Sequence, residues 1–289
     1  ERFTDLSIFE NDVKAGNDSI SDIVISGNDD VQKTWCPKSQ LDRLAVTPSM
    51  YLGSCRFKLP FYEEDSRLYE KIFAILDKNN IGMFFYIGGN DSMDTIKKLS
   101  DYAILNGSTI KFMGVPKTID NDLAVTDHTP GYGSAAKYIA SITKEVIRDG
   151  LVYGTKSVTI LEIMGRNAGW LTGAAALAKG EDCEGPDMIF LPEIPFDVDE
   201  FMKKVEQLQK EKSSVVVAVS EGVKVADGRY VCELTDNIDY VDAFGHRQLT
   251  GTARYLAERI SREVGCKTRS IEFNSLQRCA SHIVGRVDI

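Results

Sequence analysis

The sequence predicts an α/β protein with two doubly wound lobes, whose mostly parallel sheets face each other across a cleft. From about Tyr69 onward, strand-like segments alternate with amphipathic, helix-like segments. Most of the strand-like segments are strongly apolar, which is typical of parallel strands that helices cover on both faces. Polar motifs follow Ile87, Val115, Ile163 and Val219, at the carboxyl ends of four strands, where ligands bind in folds of this class.

The predicted elements follow one another in regular alternation. Apolar runs predict strands at 83–87, 110–115, 157–163, 187–191, 214–220 and 267–273. Apolar residues that recur every three or four positions predict helices at 92–105, 134–149, 168–179, 197–211 and 249–264. We expect Ser134 to cap the helix at 134–149 and Gly150 to end it.

The chain divides into four predicted segments. Residues 1–45 are polar, and "DIVISGNDD" within them predicts an exposed turn or hairpin. Residues 46–131 are expected to form the first lobe and 132–276 the second, with 277–289 returning toward the first as an incomplete segment. A chain of 289 residues is long enough for two lobes that each bury a core.

Composition and charge exclude several classes of partner. The net charge of -9 argues against a nucleic-acid backbone or an anionic membrane surface as a partner. No apolar stretch is long enough to span a bilayer, and the first residues do not have the pattern of a signal peptide. The 6 cysteines lack C-x-x-C spacing, which predicts reduced thiols in a cytoplasmic protein. The 3 histidines are far apart, so we expect no zinc site.

The stretch "FFYIGGNDSM" ends an apolar strand with two glycines, an amide and an acid. Without side chains, Gly88 and Gly89 let backbone N–H groups approach a phosphate closely, and the helix that follows directs its positive end at the same place. Asn90 and Asp91 carry the oxygen ligands that hydrated Mg²⁺ prefers. An ordinary turn after a strand is the alternative for this motif taken alone.

The second motif, "GVPKTIDNDL", follows the next strand and places a lysine and two acids within six positions. Asp120 and Asp122 are two residues apart, so their side chains are expected to point the same way in an extended loop. One carboxylate can accept a hydroxyl proton while the other holds a metal-bound water. Lys117 supplies a positive charge for phosphate oxygens. A turn rich in Asx residues accounts for Asn121 but not for the other residues.

The third motif, "MGRNAG", follows the strand at 157–163. Gly165 offers access to the backbone, and Arg166 lies just before a helix. A guanidinium at this position can stabilise the charge on a transferring phosphoryl group. A salt bridge at the helix end is the alternative for Arg166 taken alone.

Together these motifs resemble the phosphofructokinase family. "GGNDS", "PKTIDND" and "MGR" have the order and spacing found in that family. Three further segments, "TPSMYLGSCR", "VAVSEG" and "RSIEFNSLQR", resemble the family's segments for the phosphoryl donor, the sugar and the sugar phosphate. The resemblance covers about residue 43 to the end of the chain and implies a phosphofructokinase-like fold of two lobes.

The resemblance implies transfer of a phosphoryl group to the 1-hydroxyl of fructose 6-phosphate in glycolysis, giving fructose 1,6-bisphosphate. Asp120 would accept the hydroxyl proton, while Thr118 and Arg166, with Lys117, would steady the transferring group. Arg269 and Arg278 would hold the 6-phosphate, one of them from a neighbouring subunit of a homodimer or homotetramer. The residues implied to bind the sugar phosphate are Thr118, Ile119, Asp120, Met164, Gly165, Arg166, Glu221, Arg269 and Arg278.

The lobe at 46–131 would bind the phosphoryl donor together with Mg²⁺. The donor-binding residues implied are Gly53, Arg56, Gly88, Gly89, Asp91, Ser92 and Lys117, and the metal would be served by Asn90, Asp91 and Asp122. Asp91 and Lys117 stand where ATP-using members typically have glycines. The acid would repel an additional phosphate and the lysine would favour compact pyrophosphate, so the resemblance implies a reversible pyrophosphate-dependent reaction. An ATP-dependent enzyme is the alternative.

The sequence also departs from the family pattern. The family begins with a strand and a glycine-rich loop that we do not find before Thr47, and it continues past Ile289. We therefore expect a first sheet without its first strand, an unprotected sheet edge unless residues 1–45 cover it, and a more open donor site. Asn90 and Ser275 replace a metal-binding aspartate and a sugar-binding histidine seen in many members. A catalytically silent regulatory paralogue and a kinase for another small metabolite are the remaining alternatives.

Overall fold

The computed structural model of the chain describes residues 57–234, 251–279 and 283. These residues form two compact units, one that ends at Lys117 and one that begins at Thr118. The predicted N-terminal segment at 1–45, including the turn or hairpin at 22–30, lies outside the described residues.

The first unit contains two helices and two parallel strands. Helix α1 spans Ser66–Lys78, strand β1 Met83–Gly88, helix α2 Asn90–Leu105 and strand β2 Lys111–Pro116. The strands pair in parallel along their whole length, from Met83 opposite Lys111 to Gly88 opposite Pro116. The predicted strands at 83–87 and 110–115 and the predicted helix at 92–105 are confirmed, with ends that differ by up to two residues.

The core of the first unit lies on one face of its sheet. Helices α1 and α2 pack there against Phe84 and Phe112, with Tyr69, Phe73 and Tyr102 in mutual contact. The other face is exposed in the structure, and its apolar side chains are Met83, Phe85, Ile87, Met113 and Val115. In the described part of this unit, helices α1 and α2 lie on one face of the sheet, and the expectation of helices on both faces stays a prediction here.

The second unit is built on a four-stranded sheet in which every neighbouring pair is parallel. Its strands are β3 (Ser157–Ile163), β4 (Met188–Phe190), β5 (Ser214–Ser220) and β6 (Lys267–Glu272), in the spatial order β4-β5-β3-β6. The helices are α3 (Tyr132–Leu151), α4 (Trp170–Gly173), α5 (Val198–Glu211) and α6 (Thr252–Glu263). Short 3₁₀ helices at Ala174–Ala178, Val231–Leu234 and Asn274–Arg278 complete the described elements of this unit.

Two apolar layers cover the two faces of this sheet. On one face, Ile160 and Val217 pack against α5 and α6, through residues such as Phe201 and Leu256. On the opposite face, alternate residues of the same strands pack against α3 and the segment around α4. Strands β3 and β5 are buried along almost their whole length, because helices lie on both faces. The prediction of a doubly wound parallel sheet is confirmed for this unit.

Some predicted helix ends are wrong. Helix α3 is capped by Gly131, at φ 89°, so Ser134 lies inside its first turn. The helix also runs through Gly150 to Leu151. Gly150 packs closely against strand β5, since a β-carbon there would lie 2.5 Å from Ser214 Oγ. The predicted helix at 168–179 is one short α-helix followed by a 3₁₀ helix. None of the helices in the described ranges is both long and apolar enough to cross a membrane.

Candidate active site

The glycine motif of the first unit lies where strand β1 passes into helix α2. Gly88 is the last residue of β1, Gly89 is the helix N-cap, and no side chain caps the helix there. Asn90 and Asp91 belong to the first helical turn, so the interpretation of these two residues as a loop is wrong. The 16-residue helix directs its positive end toward this point. These residues are therefore brought together as predicted, on an anion-favouring helix start.

Steric crowding explains Gly88 but not Gly89. A β-carbon on Gly88 would lie 1.9 Å from Ser92 Oγ, so only glycine fits beneath the first turn of α2. A β-carbon on Gly89 would lie 3.6 Å from the carbonyl oxygen of Lys117, which is an ordinary contact. The backbone N–H of Lys117 donates to the Gly88 carbonyl at 2.8 Å. This hydrogen bond places Lys117 beside the glycine motif within the first unit.

The acidic motif continues in the second unit, immediately after Lys117. Residues 119–120 form a turn, and Asn121 adopts the left-handed conformation at φ 55°. The loop is therefore not extended, and the inference that Asp120 and Asp122 point the same way fails for that reason. The backbone N–H of Asp120 donates to Thr118 Oγ1 at 3.2 Å. Ile119 packs into the apolar layer on the α3 face of the sheet.

The loop after β3 is fastened to the end of β5. Ser220 is fully buried, and its hydroxyl donates to the Gly165 carbonyl at 2.6 Å while it accepts from the Gly222 N–H at 3.0 Å. Gly165 has φ 136°, a conformation that residues with a β-carbon rarely adopt. Gly222 lies against the backbone of Arg166. These contacts hold Gly165 and Arg166 beside the residues that follow strand β5.

Glu221 is the electrostatic centre of this cluster. Its Oε1 accepts from the Gly165 N–H at 3.4 Å, and burial raises the pKa of its carboxyl to about 7. The negative charge of Asp120 raises this pKa further, while the positive charges of Arg166 and Arg278 lower it. Glu221 therefore lies within electrostatic range of three other predicted site residues. Asp120, in the loop after β2, and Arg278, in the 3₁₀ helix after β6, thus act electrostatically on Glu221 at the end of β5.

The two arginines predicted to share a phosphate are not close together. Arg278 lies on the 3₁₀ helix after β6, on the side of Glu221. Arg269 lies within β6 opposite Thr159, donates to Asp149 Oδ2 at 3.2 Å and stacks over Tyr153. Thr159 precedes the end of β3 by four residues, a distance of roughly 13 Å along a strand. Within one chain the two arginines therefore lie apart, and the expectation that one of them contacts the phosphate from a neighbouring subunit stays a prediction.

A further carboxylate supports the sheet beneath the site. Glu162, the penultimate residue of β3, is 3% exposed and accepts from the backbone N–H groups of Gly251 and Ala253 at 3.2 and 2.7 Å. Burial raises its pKa to about 7, and the two backbone hydrogen bonds act in the opposite direction. The carboxylate thus holds the start of helix α6 against the carboxyl end of the sheet.

The predicted metal ligands have the chemistry that Mg²⁺ requires. Asn90, Asp91 and Asp122 offer amide and carboxylate oxygens. Among the described residues, no group of three His, Cys, Asp or Glu side chains forms a metal cluster.

Three further predicted residues have different places in the chain. Gly53 and Arg56 lie outside the described residues. Met164 is half-buried and packs into the apolar layer on the α3 face of the sheet. Four residues that hold this site together were not predicted from the sequence, namely Thr129, Glu162, Ser220 and Gly222. Only Glu162 carried a readable signal, as a charged residue inside the otherwise apolar strand "SVTILEI".

Fold and site together define a protein of the doubly wound α/β class that gathers acids, arginines and glycine-rich turns at the carboxyl ends of parallel strands. The family model Phosphofructokinase matches residues 17–284. The chain therefore belongs to the phosphofructokinase family.

Individual relatives agree with this assignment. The chain is 43% identical to a pyrophosphate–fructose 6-phosphate 1-phosphotransferase of Xanthomonas campestris pv. campestris over 85% of this chain and 58% of that protein. It is 40% identical to the protein of the same name from Halomonas elongata, over the same two shares. It matches the crystal structure of a pyrophosphate-dependent phosphofructokinase from Marinobacter aquaeolei with a TM-score of 0.70 and 35% identity, over 92% of this chain and 58% of that one. The chain thus spans little more than half the length of these relatives.

Proposed function

We propose that this chain carries out Mg²⁺-dependent phosphoryl transfer between pyrophosphate and the 1-hydroxyl of fructose 6-phosphate, a reversible step of glycolysis. The observation that carries the proposal is the electrostatic cluster in which Glu221 interacts with Asp120, Arg166 and Arg278 at the carboxyl ends of parallel strands. The names of relatives that are about 40% identical to it support the choice of substrates.

The second unit would bind the sugar phosphate. Asp120 would accept the proton of the 1-hydroxyl as the oxygen attacks, which is the role of a positioned general base. Arg166, with Thr118, would stabilise the charge of the transferring phosphoryl group. Glu221, with Gly165 and Met164, would line the sugar, and Arg278 would bind its 6-phosphate through charge-assisted hydrogen bonds. The fastening of Gly165 and Arg166 to β5 by Ser220 supports these roles.

The first unit would bind pyrophosphate. The backbone N–H groups at Gly88 and Gly89 and the positive end of α2 provide a place for a phosphate, and Lys117 adds a positive charge. Ser92 is packed against Gly88 and would support this turn. Asp91 is exposed in the first helical turn, where its charge would repel an additional phosphate and disfavour ATP.

Asn90 and Asp91 of the first unit, and Asp122 of the second, carry oxygen atoms that would suit a hydrated Mg²⁺ ion. When bound, the ion neutralises negative charge on the donor phosphates. The protein's own part in the reaction is orientation of both substrates and acceptance of the hydroxyl proton at Asp120.

Assembly into a homodimer or homotetramer would give Arg269 a role. Since Arg269 lies roughly 13 Å along the strand direction from the Glu221 cluster, it would contact the sugar phosphate of a neighbouring subunit.

The free thiols of Cys183, Cys232, Cys266 and Cys279 support a reducing compartment such as the cytoplasm.

A coupled assay with the purified chain tests the proposal directly. Fructose 6-phosphate is supplied with Mg²⁺ and either pyrophosphate or ATP, and fructose 1,6-bisphosphate is measured. We expect turnover with pyrophosphate and a lower kcat/KM with ATP, and we expect phosphate plus fructose 1,6-bisphosphate to run the reaction backward. A higher kcat/KM with ATP would show that the donor is ATP and not pyrophosphate. Binding of fructose 6-phosphate without turnover would indicate a catalytically silent relative.

A further inference from the structure

The loop that carries the acidic motif is closed by two buried polar residues that lie eight positions apart. Asn121 is 7% exposed and Thr129 is fully buried. The Asn121 Oδ1 accepts from the Thr129 N–H at 2.8 Å, and the Asn121 Nδ2 donates to the Asp127 carbonyl at 3.2 Å. The Thr129 hydroxyl donates to the Thr118 carbonyl and also lies 3.1 Å from Asn121 Oδ1. We call this set of hydrogen bonds the Asn121–Thr129 clamp.

The clamp holds the backbone in a conformation that it would otherwise leave. Asn121 has φ 55°, a left-handed conformation that costs energy for a residue with a β-carbon, although asparagine tolerates it better than most. A buried amide and a buried hydroxyl are stable only if they are hydrogen-bonded, and the clamp satisfies them both. Loss of one partner would therefore remove a hydrogen bond and also let Asn121 leave its left-handed conformation.

Asp120 lies between the two points that the clamp fixes. On its N-terminal side, the Thr118 carbonyl accepts a hydrogen bond from the Thr129 hydroxyl, and the Thr118 hydroxyl accepts one from the Asp120 N–H. On its C-terminal side, Asn121 is the centre of the clamp. The backbone is thus held on both sides of Asp120, while the Asp120 carboxylate acts on Glu221 within the site.

We propose that Asn121 and Thr129 are positioning residues for the general base, and that the clamp between them sets the direction of the Asp120 carboxylate. The proposal rests on the proposed function, since Asp120 matters only if it accepts a proton there. Neither clamp residue needs to touch a substrate. Their removal should therefore lower kcat more than it changes substrate affinity, because a displacement of about 1 Å at a reacting group can cost about 10²-fold in rate.

Three substitutions separate positioning from mere stability. Thr129→Val has nearly the same shape and removes the hydroxyl, whereas Thr129→Ser keeps it. Thr143→Val is the matched control, because Thr143 is also fully buried in the second unit and its hydroxyl has no hydrogen-bond partner among the described residues. We expect Thr129→Val to lower kcat by about 10- to 100-fold with KM for fructose 6-phosphate within about 3-fold. Thr129→Ser should restore kcat to within about 3-fold of the parent, and Thr143→Val should leave it unchanged.

Amide hydrogen exchange supplies a readout that does not depend on activity. Thr129→Val should speed exchange of the Asp120 and Thr129 amides, and Thr143→Val should not. The proposal is overturned if Thr129→Val lowers kcat no more than Thr143→Val, if it raises KM alone, or if exchange of the two amides is unchanged. If the parent shows no turnover with either donor, the proposed function has failed, and unchanged exchange in Thr129→Val would still overturn the clamp.

Discussion

A β-carbon on Gly222 would lie 2.0 Å from the carbonyl oxygen of Arg166 and 2.6 Å from its carbonyl carbon. Both atoms belong to the backbone, so no side-chain rotation can relieve the clash. The loop that carries Arg166 and the turn after β5 therefore approach each other more closely than any residue other than glycine permits. The position of the arginine in the candidate site depends on a glycine that is 56 residues away in the chain.

Gly222→Ala is expected to push the Arg166 loop out of place and lower kcat/KM by about 10²-fold, the cost of displacing a group that acts on the transition state. Gly154→Ala is the control, because a β-carbon at Gly154 would meet nothing within 4 Å. Steady-state kinetics with pyrophosphate, together with far-UV circular dichroism, make the comparison. An alanine variant with normal kcat/KM would show that the close approach is unimportant.

Asp120→Asn keeps the shape of the side chain and removes its basicity. If Asp120 is the general base, kcat should fall by about 10²–10⁴-fold, the usual contribution of a positioned base. Affinity for fructose 6-phosphate, measured by isothermal titration calorimetry, should change little. Asp127→Asn, an exposed acid in the same loop, is the control for the charge change. Near-normal kcat in Asp120→Asn would refute the assignment.

The buried carboxyl of Glu162 makes stability depend on pH. Its pKa is raised from 4.5 to about 7 by burial, so between these values the unfolded chain loses the proton while the folded chain keeps it. The free energy of unfolding therefore decreases as the pH rises from 4.5 to about 7. Only below pH 4.5 does this group not lower it. The burial of Glu221, whose pKa is also raised to about 7, acts in the same direction.

Glu162→Gln removes this titration. Relative to the parent, the variant should gain about 3 kcal/mol of unfolding free energy between pH 4.5 and pH 8, because one pKa unit corresponds to about 1.4 kcal/mol. Denaturant titrations at both pH values measure the change, with the exposed Glu206→Gln as the control. The same difference between parent and variant at the two pH values would contradict the prediction.

Donor choice is expected to depend on two residues beside the glycine motif. Asp91→Gly combined with Lys117→Gly removes the charge that would repel an additional phosphate and the charge that would favour pyrophosphate. The ratio of kcat/KM for pyrophosphate to that for ATP should fall in the double variant, with smaller changes in the two single variants. A ratio that does not move toward ATP would mean that other residues choose the donor.

Arg278 and Arg269 are both expected to bind the 6-phosphate, the second in a neighbouring subunit. A charge-assisted hydrogen bond contributes about 1.5–3 kcal/mol, so either arginine-to-alanine change should weaken fructose 6-phosphate binding by roughly 10- to 100-fold. Arg262→Ala, which alters an exposed arginine of α6, is the control. Isothermal titration calorimetry measures the affinity for fructose 6-phosphate. Unchanged affinity in both variants would show that neither arginine binds the 6-phosphate.

The subunit assignment has its own test. Dilution of the protein until it dissociates should abolish the effect of Arg269→Ala and preserve that of Arg278→Ala. If Arg269→Ala weakens binding equally in the monomer, the assignment to a neighbouring subunit is wrong.

By itself, the sequence determined the elements and the order of the motifs. Strands β3 and β5 were predicted with correct ends, because apolar runs flanked by polar residues are a local signal that needs no knowledge of neighbours. Gly88, Asp120, Arg166 and Glu221 could be selected for the same reason, since each ends such a run or follows it within five residues. In parallel sheets these ends lie at one edge, so their chemistry could be predicted from the chain alone.

Only the tertiary structure decided which residues hold the site in place. The Ser220–Gly165 hydrogen bond, the Gly222–Arg166 contact and the Glu162 bonds to α6 each join segments more than 50 residues apart. No local pattern predicts such pairs, because they depend on how two elements pack and on the space left between them. The same reason applies to Arg269, because only the fold shows that it lies within strand β6, apart from the 3₁₀ helix that carries Arg278.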